Sequence, residues 1–228
     1  LEIGPGRGAI TTELLKTAGR LDVVELDRDL VAPLARLCSD LGQLTIHNAD
    51  ALRFDPCTLY PGERLRLVGN LPYNVSTPLL FRFLDQAECI RDMHLMLQKE
   101  VVARIAAMPG SKTYGRLSVM VQVYCKVEPL FHIGPESFRP IPKVDSTFLR
   151  LSPRRPLPVP VQDPPFLSQL VAAAFAQRRK TLRNSLKAQV SADQFQMQGI
   201  DPGQRAEDLS LEAFVRLANA ACKTRDLP

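Results

Sequence analysis

The chain has 228 residues, more than one ordinary domain and fewer than two. With 45% hydrophobic and 23% charged residues, its composition is that of a globular protein, which excludes wholesale disorder, collagen and coiled coil; no apolar run reaches the ~18 residues of a membrane-spanning helix. Lys and Arg number 29 against 24 Asp and Glu, a net charge of +5 that permits a nucleic-acid partner without requiring one.

Short apolar runs alternate with helical patterns through the first two thirds of the chain. Strands are expected at 1–3, 21–26, 44–47, 65–69 and 92–97, and helices at about 9–18, 29–40, 77–88 and 98–108. Thr77 followed by Pro78 reads as an N-cap and first helical residue. Such alternation predicts an α/β fold, a mostly parallel sheet covered by helices. The pattern then changes: 117–127 (LSVMVQVYCKV) and 145–151 (DSTFLRL) read as two β runs without a helix between them, as a final antiparallel pair would. Six prolines in the thirteen residues 153–165 predict a semi-rigid linker. Beyond it, helical patterns run at about 166–177, 179–189, 193–198 and 210–222, and Ser191 with Gln194 forms a capping box. The organisation expected is a domain over 1–152, the linker 153–165 and a small all-helical domain over 166–228. The five cysteines (Cys38, Cys57, Cys89, Cys125, Cys222) are odd in number and scattered, and no His stands near them in sequence. That spacing predicts neither a zinc site nor a disulfide framework, so reduced thiols in a cytoplasmic protein are expected.

Four motifs fall at strand ends. Glu2-Ile3-Gly4-Pro5-Gly6-Arg7-Gly8 follows a strand and opens a helix. Its alternate glycines allow a tight turn and close approach of a ligand to backbone. The spacing is neither the dinucleotide fingerprint nor a P-loop, and the acid ahead of the first Gly suits a cationic ligand better than a pyrophosphate. Glu25, with Leu26 after it, ends the second strand, where a carboxylate can accept both hydroxyls of a ribose. Asp50, with Ala51, holds the corresponding place after the third strand and could read an adenine edge or simply form a turn. Gly69-Asn70-Leu71-Pro72-Tyr73-Asn74 follows the fourth strand and displays an aromatic at the sheet edge, in a chain with only 6% aromatic residues.

Together the four motifs resemble the Rossmann-like, seven-stranded class I S-adenosylmethionine (SAM) methyltransferases. The Asn70–Tyr73 tetrad narrows the resemblance to enzymes that methylate an exocyclic amine. Phe138-Arg139-Pro140-Ile141-Pro142-Lys143-Val144-Asp145-Ser146, Leu97-Gln98-Lys99-Glu100-Val101, Tyr114-Gly115-Arg116-Leu117-Ser118 and Gln177-Arg178-Arg179-Lys180-Thr181 narrow it again. Residues 1 to about 222 are similar to the ribosomal RNA adenine dimethyltransferase family, most of all its bacterial small-subunit (16S) members.

The resemblance implies SAM as co-substrate without a metal, an immature 30S particle as partner, a monomer and a cytoplasmic location. It implies that Glu2, Gly4, Gly6 and Gly8 face the amino-acid part of SAM, that Glu25 with Leu26 holds its ribose, and that Asp50 with Ala51 reads its adenine. Asn70, Leu71, Pro72 and Tyr73 would form the target-base site, with Asn70 also bordering the cofactor, and Phe138 would close over the flipped adenine. Arg178, Arg179, Lys180, Arg183 and Lys187, five cations in ten residues of one expected helix, would grip RNA phosphates. The family carries a basic segment and a Gln-Asn-Phe-Leu type motif ahead of the first strand. This sequence opens inside the first motif without Met, so an N-terminally truncated chain is expected. Two other readings remain: a large-subunit rRNA adenine methyltransferase of the antibiotic-resistance type, and a non-catalytic ribosome-assembly or transcription factor on the same fold.

Overall fold

The computed structural model describes residues 1–72 and 75–223. Seven strands form one sheet in the order β3-β2-β1-β4-β5-β7-β6. They are β1 (Glu2–Ile3), β2 (Arg20–Glu25), β3 (Gln43–Asn48), β4 (Leu65–Asn70), β5 (Ile90–Gln98), β6 (Cys125–Ile133) and β7 (Ser146–Pro153). The first five run parallel, with Glu2 opposite both Val23 and Val68, Glu25 opposite Asn48, and Val68 opposite His94. β7 pairs antiparallel with β5, Leu149 opposite Leu95. The mostly parallel sheet with antiparallel closing strands is the architecture expected from the sequence. The chain winds outward from β1 through β2 to β3, then returns to the other side of β1 as β4. The carboxyl ends of β1 and β4 therefore flank a topological switch point, where open α/β sheets bind ligands.

The chain groups into two compact units, residues 1–102 with 128–153, and 103–127 with 154 onward. In the first, α1 (Thr11–Ala18) and α2 (Arg28–Leu37) cover one face of the sheet. Leu15 and Leu34 pack there against Leu21 and Val23. Asp27 caps α2 by accepting from the Asp29 amide at 2.9 Å. The helix α3 (Ser76–Asp85) starts one residue before the expected cap. Thr77 and Pro78 therefore lie inside its first turn, where a proline's missing N–H leaves no helical bond unmade. Gly69 leaves no room for a side chain against β1: a Cβ there would stand 2.7 Å from the Ile3 carbonyl oxygen.

The second unit holds α5 (Arg116–Tyr124), α6 (Pro164–Phe175), α7 (Leu182–Ser185), α8 (Ala192–Met197) and α9 (Leu211–Lys223); α4 (Lys99–Ile105) leads into it. Two expectations fail here. Residues 116–124 are helix, with strand only from Cys125. This segment packs against α6 and α9. Ser118 through Val123 are all buried, so neither an alternating nor a helical polar face exists to read, and β-branched residues bias the pattern toward strand. The side chains settle the matter: Ser118 Oγ accepts from the Gly115 amide at 3.0 Å, and Gln122 Nε2 donates to the terminal carbonyls of Ile105 and Ala107 at 2.7 Å each. The expected helix 179–189 shrinks to Leu182–Ser185, with turns on either side. The capping box of Ser191 and Gln194 is present. Tyr114, Phe175 and Phe214 form an aromatic cluster with centroids 6.0 and 5.7 Å apart, and the Tyr114 hydroxyl donates to Leu209 O at 3.0 Å. Asn219 on α9 holds the proline-rich linker, donating to Pro160 O at 2.8 Å and accepting from Gln162 N at 3.0 Å.

Cys57 and Cys89 form a disulfide, Cα atoms 5.2 Å apart, while Cys38, Cys125 and Cys222 are free. The expectation of five reduced thiols is corrected at this pair. Its 32-residue separation in sequence is closed because the β3–β4 segment and the turn before β5 meet in the fold.

Candidate active site

The sheet's carboxyl edge carries the predicted constellation in the order the strands impose. After β1, Gly4, Gly6 and Gly8 adopt positive φ of 68°, 58° and 83°, a path closed to most side chains. A Cβ on Gly4 or Gly6 would meet nothing within 4 Å, so the backbone there faces open space; one on Gly8 would press Leu34 and Leu37 of α2. Glu25, only 7% exposed, is held by two backbone donors, Gly6 N to Oε2 at 3.0 Å and Asp27 N to Oε1 at 2.9 Å. Each carboxylate oxygen keeps a further lone pair, so two acceptors stand preoriented side by side, the arrangement a vicinal diol requires.

Asp50 lies one strand further out. Its Oδ1 accepts from Leu52 N at 2.9 Å, and its carbonyl accepts from Arg53 and Phe54 at 2.9 Å each. The turn-forming role is thus real, yet it uses one carboxylate oxygen. Among the described residues, nothing donates to Oδ2. Asn48, which sequence reasoning missed, joins this position to Glu25: its Nδ2 donates to the carbonyls of Glu25 and Leu26 at 2.9 and 3.3 Å. Leu26 is 71% exposed, a large apolar side chain displayed beside the acid, and Ala51 is half-buried.

Glu2 is 2% exposed at the base of the glycine loop. Burial pushes its carboxyl above the usual carboxylate range, with the Thr11 hydroxyl opposing. The two groups are close enough to interact, yet Glu2 Oε2 and Thr11 Oγ1 do not meet hydrogen-bond geometry with each other or with any other group. An orphaned buried oxygen on a potential anion, open backbone above it, a bidentate acceptor and a spare Asp50 oxygen together fit a ligand that carries positive charge, a ribose and an adenine. SAM has all three. Among the described residues no group of three or more His, Cys, Asp or Glu could hold a metal.

Asn70, the last residue of β4, and Pro72 beyond it are exposed, whereas Leu71 is 1% exposed, with its side chain in the core and its amide donating to Met96 O at 3.3 Å. The tetrad therefore offers the side chain of Asn70 but only the backbone of Leu71. Tyr73 lies outside the described residues. Phe138 is half-buried and follows the turn Pro135–Ser137. Its segment reaches β7 beside β5, where Ser146 pairs with Gln98 and Lys99 binds Asp145 through its amide at 2.9 Å and its ammonium at 3.3 Å. The far end of the Phe138 segment is thus fastened to the edge that carries Asn70.

Arg178, Arg179, Lys180, Arg183 and Lys187 are all exposed, but they do not share a helix. The first three occupy the turn between α6 and α7, Arg183 lies in α7 and Lys187 follows it. Two exposed residues at the turn, Arg179 and Lys180, point charge outward where the chain reverses. Arg178 is partly committed within the unit: its guanidinium donates to Lys112 O and lies 3.8 Å from Glu207.

The profile of a family described as ribosomal RNA adenine dimethylase matches residues 1–223. The chain is 53% identical over 224 residues to a protein of Marinomonas sp. named ribosomal RNA small subunit methyltransferase A, covering 98% of this chain and 84% of that one. To a protein of the same name from Pseudomonas aeruginosa it is 55% identical, over 96% of this chain and 82% of the relative. Among solved structures, a dimethyladenosine transferase from Plasmodium falciparum superposes with a TM-score of 0.80 at 24% identity, covering 95% of this chain and 86% of that one. The 23S rRNA methyltransferase ErmE gives a TM-score of 0.71 at 24% identity, over 97% and 89%.

Proposed function

The chain belongs to the ribosomal RNA adenine dimethylase family, and from that premise we infer that it is a SAM-dependent enzyme transferring methyl groups to N6 of adenines in small-subunit (16S) rRNA, giving N6,N6-dimethyladenosine. The relatives that share more than half its sequence carry small-subunit names, which favours this reading over the large-subunit alternative. An enzyme, rather than a binding factor that has lost catalysis, is the reading that an intact cofactor edge supports.

The observation that carries the mechanism is Asn70, exposed at the end of β4 with the core-anchored Leu71 behind it, on the same edge as Glu25. When bound, SAM supplies a methyl group on a sulfonium, which leaves as a neutral thioether, so the chemistry calls for neither a metal nor a strong acid. Glu2 supplies negative charge toward the cationic end of the cofactor. Glu25 accepts from the ribose hydroxyls, and Asp50 from the adenine amine with Leu26 and Ala51 alongside. The difficulty lies in the target nitrogen, whose lone pair is delocalised into its ring. Asn70 Oδ1 and the Leu71 carbonyl accept the two N6 hydrogens in the first transfer, and one of them accepts the single hydrogen left in the second, drawing that nitrogen toward tetrahedral geometry; in each transfer the N6–C bond forms as the S–C bond breaks, and the N6 proton is released to water. Preorganised acceptors of this kind lower the barrier by about 3–4 kcal/mol each. Pro72, Tyr73 and Phe138 enclose the base, and stacking contributes about 1–3 kcal/mol per ring. The base is extruded from its RNA to reach them.

Arg178, Arg179, Lys180, Arg183 and Lys187 neutralise phosphates, giving affinity and salt dependence rather than sequence choice. The helical part after the linker 153–165 is the RNA-binding domain of this reading, the immature 30S particle its partner, a monomer its working form and the cytoplasm its location. Among the described residues, no helix is long and apolar enough to cross a membrane.

The deciding experiment is methyl transfer to undermethylated small subunits by the wild type and Asn70→Ala. The expected outcome is dimethyladenosine from the wild type, and a folded variant that binds SAM but transfers no methyl. Near-wild-type turnover of Asn70→Ala would overturn the mechanism, and transfer to large-subunit RNA instead would overturn the substrate assignment.

A further inference from the structure

Asp22 stands where a parallel strand ordinarily carries an apolar residue. Its neighbours Leu21 and Val23 belong to the core under α1 and α2, so Asp22 faces the opposite side of the sheet, only 6% exposed. A lone carboxylate at such a depth is costly unless both oxygens are paired. Here both are paired: His47 Nε2 lies 2.8 Å from Oδ1, and the Tyr60 hydroxyl donates to Oδ2 at 2.7 Å. The carboxylate can only accept, so His47 carries its proton on Nε2. Arg20 lies over the Tyr60 ring at 4.4 Å, and hydrogen bonding to Asp22 pushes the Tyr60 phenol above its ordinary range.

The two partners of Asp22 bracket one functional stretch. His47 is in β3, three residues before Asp50, and Tyr60 lies ten residues after it. Between them the chain has no helix longer than the single turn Pro56–Thr58, so the β3–β4 segment depends on side chains to fix its path. The His47 ring packs on Phe54 at 5.2 Å, and the Phe54 amide donates to the Asp50 carbonyl at 2.9 Å. A continuous path of contacts therefore runs from Asp22 through His47 and Phe54 to Asp50, and Asp22 holds the far end of the segment through Tyr60.

We propose that Asp22 is a positioning residue for the cofactor: by gripping His47 and Tyr60 from the sheet, it sets where the Asp50 carboxylate meets the adenine amine. The proposal rests on the reading of Asp50 as the adenine acceptor. It predicts an effect on recognition of the 6-amino group, which a role confined to stability would not produce.

The probes are S-adenosylhomocysteine and its inosine counterpart, which carries a 6-oxo group in place of the amine. Calorimetric Kd values give the preference for amine over oxo in the wild type, Tyr60→Phe, Asp22→Asn and Asp50→Ala. The expected result is a preference removed in Asp50→Ala and reduced about five- to tenfold in Tyr60→Phe and Asp22→Asn, as for loss of one well-placed polar contact. Binding of the inosine compound should change less than twofold in Tyr60→Phe. If Asp22→Asn does not fold, Tyr60→Phe, which loses one oxygen atom, carries the test alone. A preference lost in Asp50→Ala but intact in Tyr60→Phe overturns the positioning role and leaves the Asp50 reading standing, whereas a preference intact in Asp50→Ala overturns that reading. A lowered melting temperature with the preference unchanged also overturns the proposal.

Discussion

Gly69→Ala tests whether the distance between β1 and β4 governs the site. The added Cβ would lie 2.7 Å from the Ile3 carbonyl oxygen and 3.2 Å from the Leu71 side chain, against an ordinary contact of 3.4–4 Å. The closer partner is backbone in a paired strand, which cannot swing aside as a side-chain tip can. Overpacking of this kind costs about 1–3 kcal/mol, and a backbone partner places it in the upper half of that range. For a chain of this size the melting temperature should fall by about 4–12 °C. Relieving the contact moves the strands apart by about 0.7 Å, and misplacement on that scale reduces turnover by about 10- to 100-fold. The loss should appear in kcat, because β1 leads into the glycine loop proposed to hold SAM and β4 ends at Asn70, proposed to hold the target amine. Calorimetry and methyl transfer on undermethylated subunits read both effects. A Gly69→Ala protein with unchanged melting temperature and unchanged kcat would refute the reasoning.

Glu2→Gln should separate stability from cofactor binding. Burial raises the Glu2 pKa, so the folded state holds its proton more tightly than the unfolded chain, and stability falls as pH rises from the unfolded value through the raised one. The ligand-free variant should therefore melt above the wild type at pH 8 and together with it near pH 4, while SAM affinity drops about tenfold; equal melting at pH 8 would contradict the charge assignment. Reducing the Cys57–Cys89 bond, which closes a 32-residue separation, should destabilise the fold by about 3–4 kcal/mol, read as a shifted urea midpoint with and without reductant. Identical midpoints would show that the bond adds nothing. Charge reversal at Arg179 and Lys180 should lower the slope of log affinity against log salt by about two for RNA binding. Reversal at Arg178 should also lower the melting temperature, because that guanidinium holds Lys112 O and lies near Glu207. An unchanged salt slope would return the turn to an ordinary solvated surface.

The strand–helix alternation, the glycine turn and the acids at strand ends are local features, and periodicity with turn chemistry is enough to place them. Glu2, Glu25, Asp50 and Asn70 are therefore legible as a constellation in the sequence, since parallel strands put their carboxyl ends on one edge. The segment 116–124 was not legible, because a helix buried on all sides has no polar face to set its period and its β-branched residues point to strand. The basic cluster near residue 180 was legible as charge but not as shape, since Arg178, Arg179 and Lys180 turn a corner. Only the tertiary structure decided which distant residues meet. Cys57 reaches Cys89, Gly69 brings β1 against β4, and Asp22 finds His47 and Tyr60 across the sheet. Each of those contacts depends on strand order and on the path of one long connection, and neither is encoded in the spacing of neighbouring residues.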